Sequence, residues 1–171
     1  MLFMITINKH NDLVSSNPEF EGFVKKLESG NLDFVKKRLQ DQHNWKESGS
    51  EQARLDFLRF MSLTKLVKEQ LVPSVQVDEF WHSFILFTKE YKSWCENNWG
   101  DGEFLHHQPG HKEDDGTWER TCQLMHQVYG VEWAPKHKAD SCYTPPPQTP
   151  SSCWSPPLPP PPPPSKTNTF L

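Results

Sequence analysis

No apolar run in the 171-residue chain approaches the roughly 20 residues that a membrane-crossing helix needs, so no membrane span is expected. Met1 to Ile7 is apolar, but Asn8-Lys9-His10-Asn11-Asp12 follows at once, leaving too short a core for a cleaved secretory signal. Basic charge is not in excess: 18 Lys and Arg stand against 22 Asp and Glu, a net charge of -4. Phosphate binding is driven by clustered Lys and Arg, and those present are scattered, so a nucleic-acid partner is not expected. Cysteine is sparse. The four, at positions 95, 122, 142 and 153, form no CxxC pair and no tight framework, which points to a reducing, cytoplasmic setting rather than a disulfide scaffold. No glycine-rich phosphate loop and no HExxH occur, which removes the two most readable signatures of nucleotide and metalloprotease chemistry.

Proline is plentiful and unevenly spread. From Ser141 the chain turns to Thr144-Pro145-Pro146-Pro147, then to Trp154-Ser155-Pro156-Pro157-Leu158 and an unbroken run over Pro159, Pro160, Pro161, Pro162, Pro163 and Pro164. Proline has a fixed φ and no amide donor, so this part cannot join a helical core and reads as polyproline II or disorder. The expected division is an N-terminal segment over 1–16, a helical domain over 17–138 and a proline-rich disordered tail over 139–171.

Within the middle part the apolar period is helical. Asn17-Pro18-Glu19 supplies a cap, an N1 proline and a first-turn acid for a helix that carries Phe20, Phe23, Val24 and Leu27 and stops at Gly30. Asn31 can cap a second helix with Leu32, Phe34, Val35 and Leu39 at helical spacing. A third is expected over Glu51 to Gln70, ending before Pro73, and a fifth over Thr117 to Tyr129, ending at Gly130. Between them, Phe80, Phe84, Phe87, Tyr91 and Trp94 make one stripe, with Trp81, Ile85, Thr88 and Cys95 beside it, predicting a long central helix from about Val77 to Asn98. About five helices with short connections define an all-α bundle.

The fourth helix and the turn after it hold most of the chemistry. Val77-Asp78, Trp81-His82, Ile85-Leu86, Thr88, Tyr91, Cys95, Gly100 and His106-His107-Gln108-Pro109 together resemble the pattern of glycine-rich domain-containing proteins. Pro73-Ser74 before it fits, as do Thr121, Tyr129, Gly130 and Trp133 after it, so the resemblance covers roughly residues 55 to 135. Phe84 stands where many members carry a second histidine, and the glycine-rich region is absent. The resemblance implies a helical domain and no particular reaction.

Cys and His are the preferred ligands of zinc, so Asp78, His82, Cys95, His106 and His107 are the candidate ligands for zinc or another transition metal. They do not all suit one site. On a continuous helix His82 and Cys95 lie about 20 Å apart at ~1.5 Å per residue, so they share an ion only if the helix breaks. Asp78 and His82, spaced i, i+4, face the same way; Cys95 is within loop reach of His106 and His107. His106 approaches His82 only if residues 99–105 run back nearly extended. In extended chain the adjacent His106 and His107 point apart, so one faces inward. Each position also has a structural role open to it: Asp78 as a helix cap, His82 as a hydrogen-bonded buried side chain, Cys95 as a small core hydrophobe. Asp78 with His82, or Cys95 with His106, is the only acid-base or nucleophile-base pairing, and neither matches the spacing of a known catalytic motif, so enzymatic activity stays open.

Leu158 followed by Pro159 to Pro164 looks like the ligands of EVH1 domains and profilin, and Pro156 to Pro159 has the PxxP spacing that SH3 domains read; WW domains bind related segments. The leading expectation is therefore a helical interaction module that displays a proline-rich ligand tail. A histidine-based metal or catalytic site around His82 and His106 or His107 is the alternative.

Overall fold

The computed structural model describes residues 4–109, 116–133, 138–139 and 141–143. These form an all-α domain of seven helices with one small antiparallel ribbon: α1 (Asp12–Ser15), α2 (Phe20–Ser29), α3 (Asp33–His43), α4 (Glu47–Leu66), α5 (Val75–Ile85), α6 (Thr88–Trp99), β1 (His107–Pro109), α7 (Thr117–Tyr129) and β2 (Ser141–Tyr143). No described helix is long and apolar enough to cross a membrane.

α4 is the axis of the core. Ala53, Leu55, Phe57, Leu58, Phe60, Met61 and Leu63 are buried on nearly every side of it, as a helix must be when neighbours cover it all round. α2, α3, α5 and α7 pack on it. The local signals at the ends of α2, α3 and α7 act as the sequence suggests. Gly30 follows α2, Asn31 Oδ1 accepts from the Asp33 amide at 2.9 Å, and Gly130 closes α7 in the left-handed conformation at φ 67°. Ile5 and Val14 from the first 16 residues are buried in the same core.

The long fourth helix is two helices. The chain leaves helical geometry at Phe87, with φ -88° and ψ 67°, and α6 starts one residue later. A straight helix from 77 to 98 would measure about 33 Å at ~1.5 Å per residue, and its apolar stripe would run past the edge of the domain. The break folds α6 back so that both halves of the stripe face one core: the Phe84 and Tyr91 rings meet edge to face at 5.1 Å, and Phe57 contacts Phe80, Trp81, Phe84 and Trp94. The 20 Å separation expected between the two ends of the motif disappears with it.

Past Lys138, where the helical domain was expected to stop, the chain still contributes to the fold. Ala139 and all of β2 are buried. β2 pairs with β1 in the register His107 with Tyr143, Gln108 with Cys142 and Pro109 with Ser141. On its other side Tyr143 exchanges backbone hydrogen bonds with Leu71, at 2.8 and 3.1 Å, so β2 is held from both edges. The proline-rich ligand segment, Leu158 to Pro164, lies outside the described residues.

Candidate metal centre

α5 begins at Ser74, whose hydroxyl accepts from the Val77 amide at 3.3 Å, so Ser74 and not Asp78 caps the helix. Val77, Phe80, Trp81 and Phe84 recur at helical spacing and turn inward. That rotation leaves Asp78 half-buried at the domain edge and His82, one turn on, mostly exposed. Trp81 Nε1 donates to Tyr91 Oη at 2.9 Å, and Tyr91 Oη donates to the Leu105 carbonyl at 2.5 Å. This relay draws the segment after α6 back over α5. Gly100, at φ 123°, starts the return in a conformation that side chains disfavour.

The return delivers His107 to Asp78. His107 Nε2 lies 2.7 Å from Asp78 Oδ1 and His82 Nδ1 lies 3.3 Å from Asp78 Oδ2. The two imidazole centroids are 4.3 Å apart, and the His107 ring stands edge-on to Trp81 at 4.5 Å. One ligand atom from each of Asp78, His82 and His107 lies within 4.8 Å of the other two. The His107 side chain is 5% exposed, Asp78 15% and His82 55%, so solvent reaches the cluster past His82. Ser141 of β2 completes the surroundings by donating its hydroxyl to Asp78 Oδ1.

Burial opposes ionisation of Asp78, but the hydrogen bonds from His107 and Ser141 and the nearby imidazoles outweigh it, and its carboxyl titrates below the ordinary value. An ionised Asp78 accepts, so His107 Nε2 carries its proton in this arrangement. The serine hydroxyl is spent on the carboxylate and not on an imidazole, so the residues do not form a nucleophile-base-acid chain. Two clefts, of about 840 and 530 Å³, are lined by residues of α2, α3 and α4 and their neighbours, and neither includes a member of the cluster.

Of the five candidate ligands, three come together and two do not. His106 is exposed, with its ring against Phe104 at 5.1 Å. The inward histidine of the pair is His107, because Tyr91 holds Leu105 and the alternation of an extended chain then turns position 107 to the same side. Cys95 is buried beside the Tyr91 hydroxyl and the Leu105 backbone, where burial pushes its thiol up. It pairs with neither His106 nor His107. Ser141 is the participant that the sequence did not single out: it stands at the threshold of the proline-rich part and carries no motif.

The fold and site are those of a helical domain with a half-buried carboxylate and two imidazoles gathered where a two-stranded ribbon meets a helix. The chain belongs to the UCP032817-like family, whose model matches residues 26–122, more than half of its length. Searches of curated proteins and of solved structures gave no match. The family match replaces the resemblance to glycine-rich domain-containing proteins: of the residues that carried that resemblance, those from Pro73 to Thr121 lie inside the UCP032817-like match, and Tyr129, Gly130 and Trp133 follow it. Asp78, His82 and His107 fall within the matched stretch; Ser141 follows it.

Proposed function

We propose that this protein binds a divalent transition metal, with zinc the first choice, through Asp78, His82 and His107. The observation that supports this is the convergence of one oxygen and two nitrogen donors from α5 and β1 within 4.8 Å. In a tetrahedral zinc site, with bonds of ~2.0–2.2 Å, ligand atoms lie about 3.3–3.6 Å from one another. The 3.3 Å between His82 Nδ1 and Asp78 Oδ2 is already that distance, and His107 Nε2, now 2.7 Å from the other carboxylate oxygen Oδ1, would exchange that hydrogen bond for the metal. Imidazole with carboxylate suits zinc and its transition-metal neighbours better than calcium or magnesium, which take oxygen throughout. Binding would displace the proton on His107 Nε2 and replace a hydrogen bond by a coordinate bond.

Three protein ligands leave a fourth position open toward solvent beside His82. Catalytic zinc sites share that feature, but neither of the two clefts described above is lined by a member of the cluster, so the reading stops at binding. Elemental analysis and zinc titration against a chromophoric chelator test it. Expected is about one equivalent of zinc per chain, lost in His82→Ala and Asp78→Asn; less than about a tenth of an equivalent, with no thermal shift on adding zinc, overturns it.

A second reading rests on the tail sequence alone. The run from Leu158 through Pro164 is a ligand for a polyproline-binding groove of EVH1, SH3, WW or profilin type, because a preformed polyproline II segment loses little entropy on docking. Pull-down of the full chain on such baits, against a scrambled tail, tests it; equal recovery sinks it.

A further inference from the structure

Ser141 ties the metal cluster to β2, the last described strand. Its hydroxyl is donated to Asp78 Oδ1, the oxygen that also receives His107 Nε2. Ser141 itself is 2% exposed, so no water competes for that bond. β2 is also held by its pairing with β1 on one edge and with Leu71 on the other, by Gln70 Nε2 donating to Cys142 Sγ at 2.8 Å, and by burial of all three residues; the Ser141 hydroxyl is its link to the Asp78 cluster. β1 in turn carries His107, directly opposite Tyr143. One strand of the ribbon therefore supplies a ligand, and the other supplies the hydrogen bond that orients a ligand.

We infer that Ser141 is a positioning residue for the metal, so that metal binding at Asp78, His82 and His107 and the closure of β2 onto α5 are one coupled equilibrium. This rests on the metal reading above. When a metal takes His107 Nε2, Asp78 Oδ1 loses that donor, and the Ser141 hydroxyl becomes the protein group that fixes the carboxylate. Hydrogen-bond partners of ligating groups are worth about 10–100-fold in metal affinity. Coupling is reciprocal: whatever factor the closed strand adds to metal binding, the metal adds to strand closure. Metal availability would thereby set how firmly β2 is held against α5.

The test uses the full chain, with zinc affinity measured by chelator competition and amide exchange followed with and without saturating zinc. The reporter is the Tyr143 amide, which donates to Leu71 O at 2.8 Å; the control is the Val67 amide, which donates to Leu63 O at 3.0 Å at the C-terminal end of α4. Expected are zinc binding weakened by about 10–100-fold in Ser141→Ala, and exchange at Tyr143 slowed by zinc by a similar factor in the wild type. Val67 should not change, and in Ser141→Ala the zinc effect on Tyr143 should vanish. A merely structural serine would alter exchange equally with and without zinc. If the wild type binds zinc while Tyr143 exchange is indifferent to it, or Tyr143 and Val67 slow together, the coupling is wrong and the metal site stands. If the wild type binds no zinc, both fall. The wild-type exchange result decides the matter even where Ser141→Ala does not fold.

Discussion

Two clusters of charged side chains in this molecule hold an ionised carboxylate against burial, and they do it by different means. At the α3-α4 contact Glu51 receives Lys36 Nζ at 2.8 Å and Arg54 Nη2 at 2.7 Å, and the cations are themselves largely covered. Burial works to raise the Glu51 carboxyl, and the two fixed positive charges lower it by more. At the junction of α5 and β1, Asp78 resists burial with two imidazoles and a hydroxyl. The first cluster is electrically closed, since its cations are permanent at any ordinary pH. The second has a carboxylate, two nitrogens that can coordinate and no Lys or Arg paired with Asp78 among the described residues. One arrangement holds helices together; the other is the one we propose to take a cation.

Exchanging the two roles is the most direct way to break this contrast. His82→Ala should weaken zinc by more than about 100-fold, beyond what loss of a hydrogen-bond partner of a ligand costs, because a ligand itself is removed. Its side chain is 55% exposed, so folding stability should move by less than about 0.5 kcal/mol in denaturant titration. Glu51→Gln should do the reverse. Leaving Lys36 and Arg54 without their shared carboxylate should cost about 1–3 kcal/mol of stability, with zinc affinity unaltered. A Glu51→Gln chain that loses zinc would show the clusters to be connected through α4.

How much of this was legible in the sequence divides along the same line. Helix ends written in local chemistry, at Asn31, Gly30 and Gly130, were readable, as was the i, i+4 pairing of Asp78 with His82; Asn17 does not cap α2, since its side-chain amide donates to the Leu13 carbonyl and the helix starts at Phe20. The break between α5 and α6 was not. The stripe Phe80, Phe84, Phe87, Tyr91, Trp94 keeps a helical period straight through it, and no glycine or proline marks the spot. What decides it is a contact across the break, Trp81 to Tyr91, that local pattern cannot register. With the helix taken as continuous, the 106–107 pair could approach His82 only along a nearly extended return, and the cluster fell into two halves. Ser141 was hidden for a related reason: strand pairing is non-local, and three residues before a proline-rich stretch carry no periodicity of their own.

Acid titration should separate the clusters more finely. Against the opposing effect of burial, Arg54 and Lys36 hold the Glu51 carboxyl below the ordinary carboxylate value in the folded chain. Its contribution is therefore fully present above that ordinary value and is lost as pH falls through the depressed folded value. Stability of the wild type should drop in that acid window, and Glu51→Gln should show a shallower drop there, measured by urea unfolding at stepped pH. Parallel curves for the two chains would mean that Lys36 and Arg54 do not hold the carboxylate.

The smallest effect expected is at Cys95, and it bears on whether the Asp78 cluster is self-contained. Thiolate is the best zinc ligand the chain offers, so a cysteine in the same motif is the natural rival to the carboxylate. Its position argues otherwise: the sulfur sits with the Tyr91 hydroxyl and the Leu105 backbone, where burial pushes the thiol up and keeps it protonated. Cys95→Ala should therefore leave zinc affinity within about twofold of the wild type, because the hydrogen-bond relay from Trp81 through Tyr91 to Leu105 stays intact. It should cost about 1–2 kcal/mol of stability for the buried volume removed. Loss of zinc by more than about tenfold, with the fold intact, would put the sulfur in the coordination sphere, and Asp78 would then be an orienting group for a histidine and not a ligand.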